Sequence, residues 1–488
     1  MNFNKKLAVA VSGAVLLMAG QFALADSTSD IVDALVSKGV LTEEEGKLIS
    51  KGHESKKKTE GTVTFKDGFK LNSGDGKSSM SIVGRIQLDS RSYSSNSGGT
   101  AANKNYADTF DVRRAYLGAK GTFKKYYDWE VVADFAGLTG TGGESAAAPS
   151  GGASAGSTSL DVAFLNVNYW DKKAMFQFGQ FKLPYSLEER TSSRFIDFQE
   201  RSFVNNTSLT PGKERGVMIH GTPITGVNYG LALTTGQGKN ANDSDNNHDS
   251  KDMIAHLDAN LAEIMGNKEA IYHLGASYGE GDLTTAAPGK QRTEGRGNEF
   301  FSATAASGPS MERKRYNIET ALAYGPVKLQ GEYGNANFSG TNAAAVTYDK
   351  DINAYYVSAS WMLTGEKYAD SFKGGKFDRI SPKNEFNPDF SNLGAWELGA
   401  RYSRFDAGDI QTTGNGATAA TLTMPTGSAT TTLTNKADAY TIGLKFIPQA
   451  NARFLVNYVS TDFDTPVILF TKTMTKEKAL MFRAQYDF

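Results

Sequence analysis

The stretch Lys478-Ala-Leu-Met-Phe-Arg-Ala-Gln-Tyr-Asp-Phe488 decides the fold. Leu480, Phe482, Ala484, Tyr486 and Phe488 fall on one face of an extended chain. Met481, Arg483, Gln485 and Asp487 fall on the other. Successive strand side chains point to opposite faces, so this is a strand with one fully apolar side. Such a strand cannot stand alone in water at a chain end. It has to pair with another strand, and pairing with the first one removes both free edges of the sheet.

Working back along the chain, the same period recurs. In Ser81–Tyr93, Ile82, Ile86 and Leu88 share one face, while Arg85, Gln87, Asp89 and Arg91 share the other. Tyr355, Val357, Ala359, Trp361 and Leu363 alternate with Tyr356, Ser358 and Ser360. Trp396, Leu398, Ala400 and Tyr402 alternate with Glu397, Arg401 and Ser403. Sixteen segments of this kind are expected, near residues 78–93, 108–125, 127–137, 158–171, 173–182, 213–222, 225–236, 251–261, 268–279, 311–324, 326–338, 352–364, 394–407, 436–447, 450–463 and 475–488. The pattern predicts an all-β fold, a 16-stranded antiparallel transmembrane β-barrel with apolar residues outside and polar residues inside. A soluble sandwich or β-helix is the alternative. The even count puts both barrel ends on one side.

The connections sort themselves. Tyr126-Tyr127, Asp171-Lys172, Thr222-Pro223, Gly325-Pro326 and Pro448-Gln449 mark short turns. The intervening connections 94–107, 138–157, 183–212, 237–250, 280–310, 339–351 and 408–435 are long. That alternation is expected of periplasmic and extracellular sides. The connection 365–393 is long on the short side, which raises the possibility of a miscounted strand.

Ahead of the barrel, Lys5 and Lys6, the apolar stretch Leu7–Ala19 and Ala23-Leu24-Ala25 read as a cleaved signal peptide over 1–25. Its apolar core is short of the ~20 residues a spanning helix needs. Residues 26–60 form a small helical segment and linker, with Thr42 and Glu45 as a capping box. The barrel takes 61–488. There is no cysteine, and the formal net charge is −1. Bulk charge therefore gives no case for nucleic-acid binding. The five histidines, His53, His220, His248, His256 and His273, match no metal-ligand spacing and flank no nucleophile motif. No cofactor, metal or enzymatic activity is expected. An outer-membrane enzyme or an adhesin remains the alternative from other classes.

Sixteen strands leave an aqueous channel, so selectivity depends on its lining. The stretch Gly179–Arg201 breaks from a strand at Pro184 and carries a dense run of mixed charge. It is expected to fold into the lumen and narrow it. It offers Lys182, Arg190, Arg194 and Arg201. Arginine suits oxyanions because its fork donates bidentate hydrogen bonds and stays charged. Yet Glu188, Glu189, Asp197 and Glu200 balance these four, so net charge cannot make this loop a filter. By strand parity Arg114 lies with Tyr116, Gly118 and Lys120 toward the lumen. Arg113 points outward unless a bulge or a subunit contact turns it. Lys290, Arg292 and Arg296 form a basic outer loop.

These residues resemble the phosphate-selective porin O and P family of Gram-negative outer membranes. The resemblance rests on Gly84–Asp89, Arg113–Leu117, Gly179–Phe181, Thr191–Ser193, Glu200-Arg201, Leu363–Glu366 and Gly394–Leu398, in that order, while the terminal phenylalanine resembles the C-terminal signature of bacterial outer-membrane barrels in general. It implies a homotrimer in the outer-membrane bilayer, a passive channel for small anions with phosphate or polyphosphate as the leading solute, and an inward third loop. A general diffusion porin with weak selectivity is the alternative. The resemblance also implies an anion site around Arg114 and Arg113, Arg201 and Asp134, to which Arg85, Lys182 and Arg194 are added here. Where phosphate-specific members place a lysine after the Leu-Glu of the inward loop, this chain has Glu189.

Overall fold

The computed structural model describes residues 32, 35–49, 61–65, 68–95, 108–139, 158–205, 209–236, 238–240, 251–283, 290–303, 311–341, 347–410, 424, 431–469 and 472–488. The expected signal segment over 1–25, the 51–60 linker and most of the low-complexity loops lie outside them. The chain divides into two units, Met1–Thr64 with Leu71–Ser79, and Phe65–Lys70 with Met80–Phe488. In the first unit the capping box forms. The Thr42 amide donates to Glu45 Oε2 at 2.9 Å, and the Glu45 amide to Thr42 Oγ1 at 3.2 Å.

The second unit is a closed barrel of sixteen antiparallel strands. They are β1 (Ser79–Ser95), β2 (Thr109–Phe123), β3 (Tyr127–Asp134), β4 (Ser159–Val167), β5 (Met175–Lys182), β6 (Lys213–Ile224), β7 (Val227–Thr234) and β8 (Asp252–Asn260). Then follow β9 (Ala270–Leu283), β10 (Met311–Tyr324), β11 (Val327–Thr341), β12 (Thr347–Met362), β13 (Ala395–Asp406), β14 (Lys436–Gln449), β15 (Ala452–Leu469) and β16 (Lys472–Asp487). The seam pairs β16 with β1, from Glu477 opposite Ser95 to Asp487 opposite Arg85. It is sealed inside by Arg483, which donates through Nε and Nη2 to both Asp89 oxygens at 2.7 and 2.8 Å. Gln87 Nε2 donates to Gln485 Oε1 at 2.6 Å. Phe488 adds two backbone bonds to Gly84, at 2.9 and 3.1 Å.

The outer face is apolar around the ring. Leu117, Val131, Leu165, Phe178, Leu231, Leu257, Leu274, Ile318, Leu329, Val357, Leu398, Ile442, Val456 and Leu480 are all exposed. In hydrocarbon every backbone group needs an internal partner, and only a closed ring of strands or a helix provides that. Aromatic rings band the two ends. Trp396 stacks on Phe446 at 4.5 Å, Phe454 and Phe482 continue the row, and Tyr316, Tyr333, Tyr355, Tyr402 and Tyr440 band the opposite end. Such belts sit at the membrane interfaces.

Short turns are tight. Lys124-Lys125 and Asp171-Lys172 both have two successive residues at positive φ, the geometry of a type I′ hairpin turn. The long connection on the short-turn side adds no strand to the barrel wall; its only strands among the described residues are a small separate hairpin, Phe372–Lys373 with Lys376–Phe377. Between Met362 and Ala395 the chain makes a 3-10 turn at Tyr368–Ser371 and the small hairpin, is otherwise irregular, and folds into the barrel. Its Tyr368, Phe372, Phe377 and Ile380 pack with Leu187, Ile271, Ala321 and Ile447. The connection is long because it fills space that a turn would leave open.

Gly84 sits against the Phe488 ring, and a Cβ there would collide with it. Gly84→Val is therefore expected to displace the terminal phenylalanine and loosen the seam. The folded band on heat-modifiable gels should then convert at a lower temperature than wild type. An unchanged conversion temperature would show that this contact does not hold the seam.

Candidate functional site: the lumen at the inward loop

The loop following Lys182 enters the lumen through an apolar anchor. Phe181, Leu183, Tyr185 and Leu187 are essentially fully buried. Ser186, at φ 60°, turns the chain, and its Oγ accepts the Glu189 amide at 3.2 Å. The helical turn Leu187–Arg190 follows.

Charge then pins the loop to the wall. Glu188 accepts from the Ser202 hydroxyl at 2.7 Å, from Asn205 at 2.9 Å and from Arg401 of β13 at 3.2 Å. Arg190 donates to Asp258 of β8 at 2.9 Å and to Glu319 of β10 at 2.5 Å. Asp197 meets Lys328 of β11 at 2.5 Å. Glu200 takes Arg113 of β2 at 2.9 Å, Arg483 of β16 at 3.1 Å and Arg91 of β1 at 3.3 Å. Burial works against the Glu200 and Asp197 charges. The surrounding cations win, and both carboxyls sit below their ordinary range, Glu200 well below. For Glu188 burial prevails over Arg401 and its hydrogen bonds, and its pKa is raised.

The loop's acids are thus consumed by the wall and by one another. Glu189 meets Arg201 at 3.0 Å and Lys182 at 3.4 Å. Arg201 also donates to the carbonyls of Glu188 and Thr191 at 3.2 and 3.1 Å. Among the described residues Arg194 has no carboxylate at ion-pair distance. It bonds Ser192 Oγ at 3.3 Å and lies 5.0 Å from the Phe195 ring centre.

The strand residues arrange around this loop. Arg85 donates to Ser193 Oγ at 2.8 Å and covers the Tyr116 ring at 4.2 Å. Arg114 donates to Gln87 Oε1 at 2.8 Å. Arg113 faces the lumen too, contrary to plain alternation. Asp111 and Arg113 both reach lumen partners, and so do Arg114 and Tyr116, so the facing slips by one residue between Arg113 and Arg114. That is the effect of a bulge, and the pull of Glu200 supplies a reason for it. Asp134 accepts backbone N–H groups of Ala136 and Ala115 at 3.0 and 3.3 Å, and so orders the end of β3.

The loop between β9 and β10 also folds inward. Lys290 stays exposed, pairs with Glu299 at 3.3 Å, and shares a short hairpin with Arg292. Beyond it Glu294 accepts from Arg401 at 2.6 Å and from the Phe203 amide at 2.9 Å. Thr293 and Asn298 both donate to Glu477. Arg296 is buried beside Arg113, Arg91 and Arg114. Burial and that crowding, against the pull of Glu200, push its pKa down to about 9.

Sequence reasoning missed two features. The first is the histidine pair. His256 bonds Asp258, and His273 bonds Glu319, each at 2.9 Å. His256, Asp258 and Glu319 bring ligand atoms within 4.8 Å of one another. The Arg190 guanidinium already bridges both carboxylates, so the set reads as an arginine clamp. The second is a cavity of about 530 Å³ on the short-turn side of the loop. Arg85, Lys120, Lys182, Arg190, Arg194, Lys213 and Lys376 line it against Glu130, Asp161 and Asp258. Lys376 comes from the folded-in 363–394 connection. It is open to lumen water yet enclosed by protein, and that enclosure and Arg190 lower its pKa. The length and aromatics of 365–393 were the available signal.

Residues 80–488 match the family described as "Phosphate-selective porin O and P". The chain is 26% identical over 427 residues to Porin O of Pseudomonas aeruginosa, a match covering 82% of this chain and 87% of that protein. Among solved structures it is similar to an anion-selective porin from Comamonas acidovorans, at a TM-score of 0.48 and 11% identity over 84% of this chain and 100% of that one. It is similar also to the outer membrane channel DcaP of Acinetobacter baumannii, at 0.46 and 10%, over 84% and 97%.

The depressed pKa of Glu200 makes a signed prediction. A carboxylate held below its ordinary value, here 4.5, stabilises the fold above that pH and loses its contribution as pH falls through and below it. Glu200→Gln leaves Arg113 without its partner and should cost about 3–5 kcal/mol at pH 7. It should also shrink the loss of thermal stability between about pH 5 and pH 2, the window below the ordinary carboxylate value in which the depressed Glu200 gives up its contribution, followed by heat-modifiable migration. An acid loss as large as that of wild type would remove Glu200 from this role.

Proposed function

Because the chain belongs to the phosphate-selective porin O and P family, we propose that it forms a homotrimeric outer-membrane channel passing small anions in preference to cations, with phosphate first among them. Export by a cleaved segment over 1–25 and a channel role without catalysis belong to the same reading.

One observation carries it. The cavity below the inward loop presents seven cationic side chains against three carboxylates. Several of the seven are neutralised nearby. Arg190 is clamped by Asp258 and Glu319, Lys213 meets Asp161 at 2.5 Å, and Lys182 meets Glu189. Lys120, Arg194 and Lys376 have no carboxylate at ion-pair distance among the described residues. A lumen with low-dielectric walls amplifies such an imbalance, since its field lines are focused along the water. Separated moderate sites also let an ion leave, which one tight site would prevent.

In this reading the predicted residues take three roles. Arg85 and Arg194, which line the cavity, offer donors to a passing anion, while Arg114 and Arg296 lie buried at the inward loops and add positive potential. Arg113, Arg201, Lys182 and Asp134 fix the walls and loop that position them. Glu189 in place of lysine, locked to Arg201, favours a channel for small anions broadly over one strict for phosphate.

Replacing Arg194 and Lys376 together by Gln removes two of the unpaired lumen charges. The expected result is a several-fold fall in the anion-to-cation permeability ratio in planar bilayers, with assembly retained. A reversal potential in a KCl gradient measures it. If the double variant keeps the wild-type potential, the cavity charges do not select.

A further inference from the structure

Lumen faces of membrane barrels are ordinarily polar, but one stretch of this barrel's wall is apolar where it borders the open cavity. Val83 of β1, Tyr116 of β2, Val132 of β3, and Val162 and Phe164 of β4 form a contiguous apolar cluster. They all line the 530 Å³ cavity. Val132 stands directly opposite Val162 in the strand register. Gly118, opposite Val132 on β2, brings no side chain of its own to this wall. No membrane faces these residues, since the outward positions of the same strands are Leu117, Val131 and Leu165. Tyr116 keeps its ring under the Arg85 guanidinium at 4.2 Å and the Lys213 ammonium at 5.8 Å. The same cavity therefore has an apolar wall and a cationic rim, the latter including Arg194 and Lys376.

That combination fits one class of solute. A bare oxyanion gains from the cations alone and nothing from the valines. A small organic acid gains from both, because its body removes apolar wall from water while its carboxylate meets the rim. The cavity volume lies within the range that encloses one small organic molecule. We infer that this cavity is a binding site for small monocarboxylates with an apolar body, held by the Val132–Val162–Phe164 wall and oriented by Arg194 and Lys376. The inference rests on the anion-channel reading above and adds a solute class to it.

The test uses the purified full-length protein in planar bilayers, with chloride current as the readout and benzoate, acetate and inorganic phosphate as probes. Benzoate is expected to halve the chloride current at a concentration roughly tenfold below acetate. Val132→Thr combined with Val162→Thr keeps the wall's shape and adds hydroxyls. It should bring benzoate close to acetate while phosphate block and the reversal potential stay at wild-type values. Phe164→Gln, at a partly exposed position, serves as a second variant, and heat-modifiable migration checks the fold of each. Equal block by benzoate and acetate in wild type, with anion selectivity intact, overturns this inference alone. So does a benzoate preference that survives in both folded wall variants. Loss of anion selectivity in wild type would instead overturn the channel reading beneath it.

Discussion

A backbone surrounded by hydrocarbon has no solvent to bond, and every other property of this molecule follows from meeting that constraint. Sixteen strands meet it by closing on themselves, with β16 returning to β1. Closure separates two solvents. The outer face becomes a continuous band of leucine, valine and aromatic rings. The inner face is free to hold charge, and it holds a great deal. Arg483 and Asp89 show the two tasks joined, because they face each other across the seam and seal it from inside.

Once a lumen exists, charge decides how it is filled. Three segments fold inward, the loop after β5, the loop after β9 and the connection after β12. Their buried ions are matched almost one for one with the wall. A buried ion pair adds little net stability against an apolar alternative, but losing one partner is expensive. Such pairs therefore specify geometry. Glu188, Arg190, Asp197 and Glu200 each reach different strands, and together they fix the loop's path across the barrel. The loop's net neutrality is the condition for this docking. In the proposed channel, selectivity falls to the cations left over on the cavity side.

The apolar wall and the aromatic packing of the 363–394 connection belong to the same logic. Where the lumen is filled by protein, apolar residues such as Phe372 and Phe377 are ordinary core. Where it borders the cavity, the valines of β1, β3 and β4 remain available to a solute. The same residue types thus serve packing in one half of the barrel and, in the inference above, recognition in the other.

Strand period, the terminal phenylalanine and the alternation of short and long connections were legible from sequence, because each follows from local rules: side chains alternate along a strand, and lipid demands an apolar face. The lumen placement of Arg85, Gln87, Asp89 and Arg483 came from the same parity. Parity failed at Arg113, where the facing slips by one residue toward Glu200, a partner 87 positions away in the chain. It also could not say that 363–394 folds inward, that Arg190 is clamped between two strands, or that valines from separate strands would share one cavity with Lys376. Local spacing by itself determined that this chain is a barrel with charge inside. Which charges cancel, and what is left facing the water, was decided only by the tertiary structure, because an ion pair depends on distance in space and carries no period along the chain.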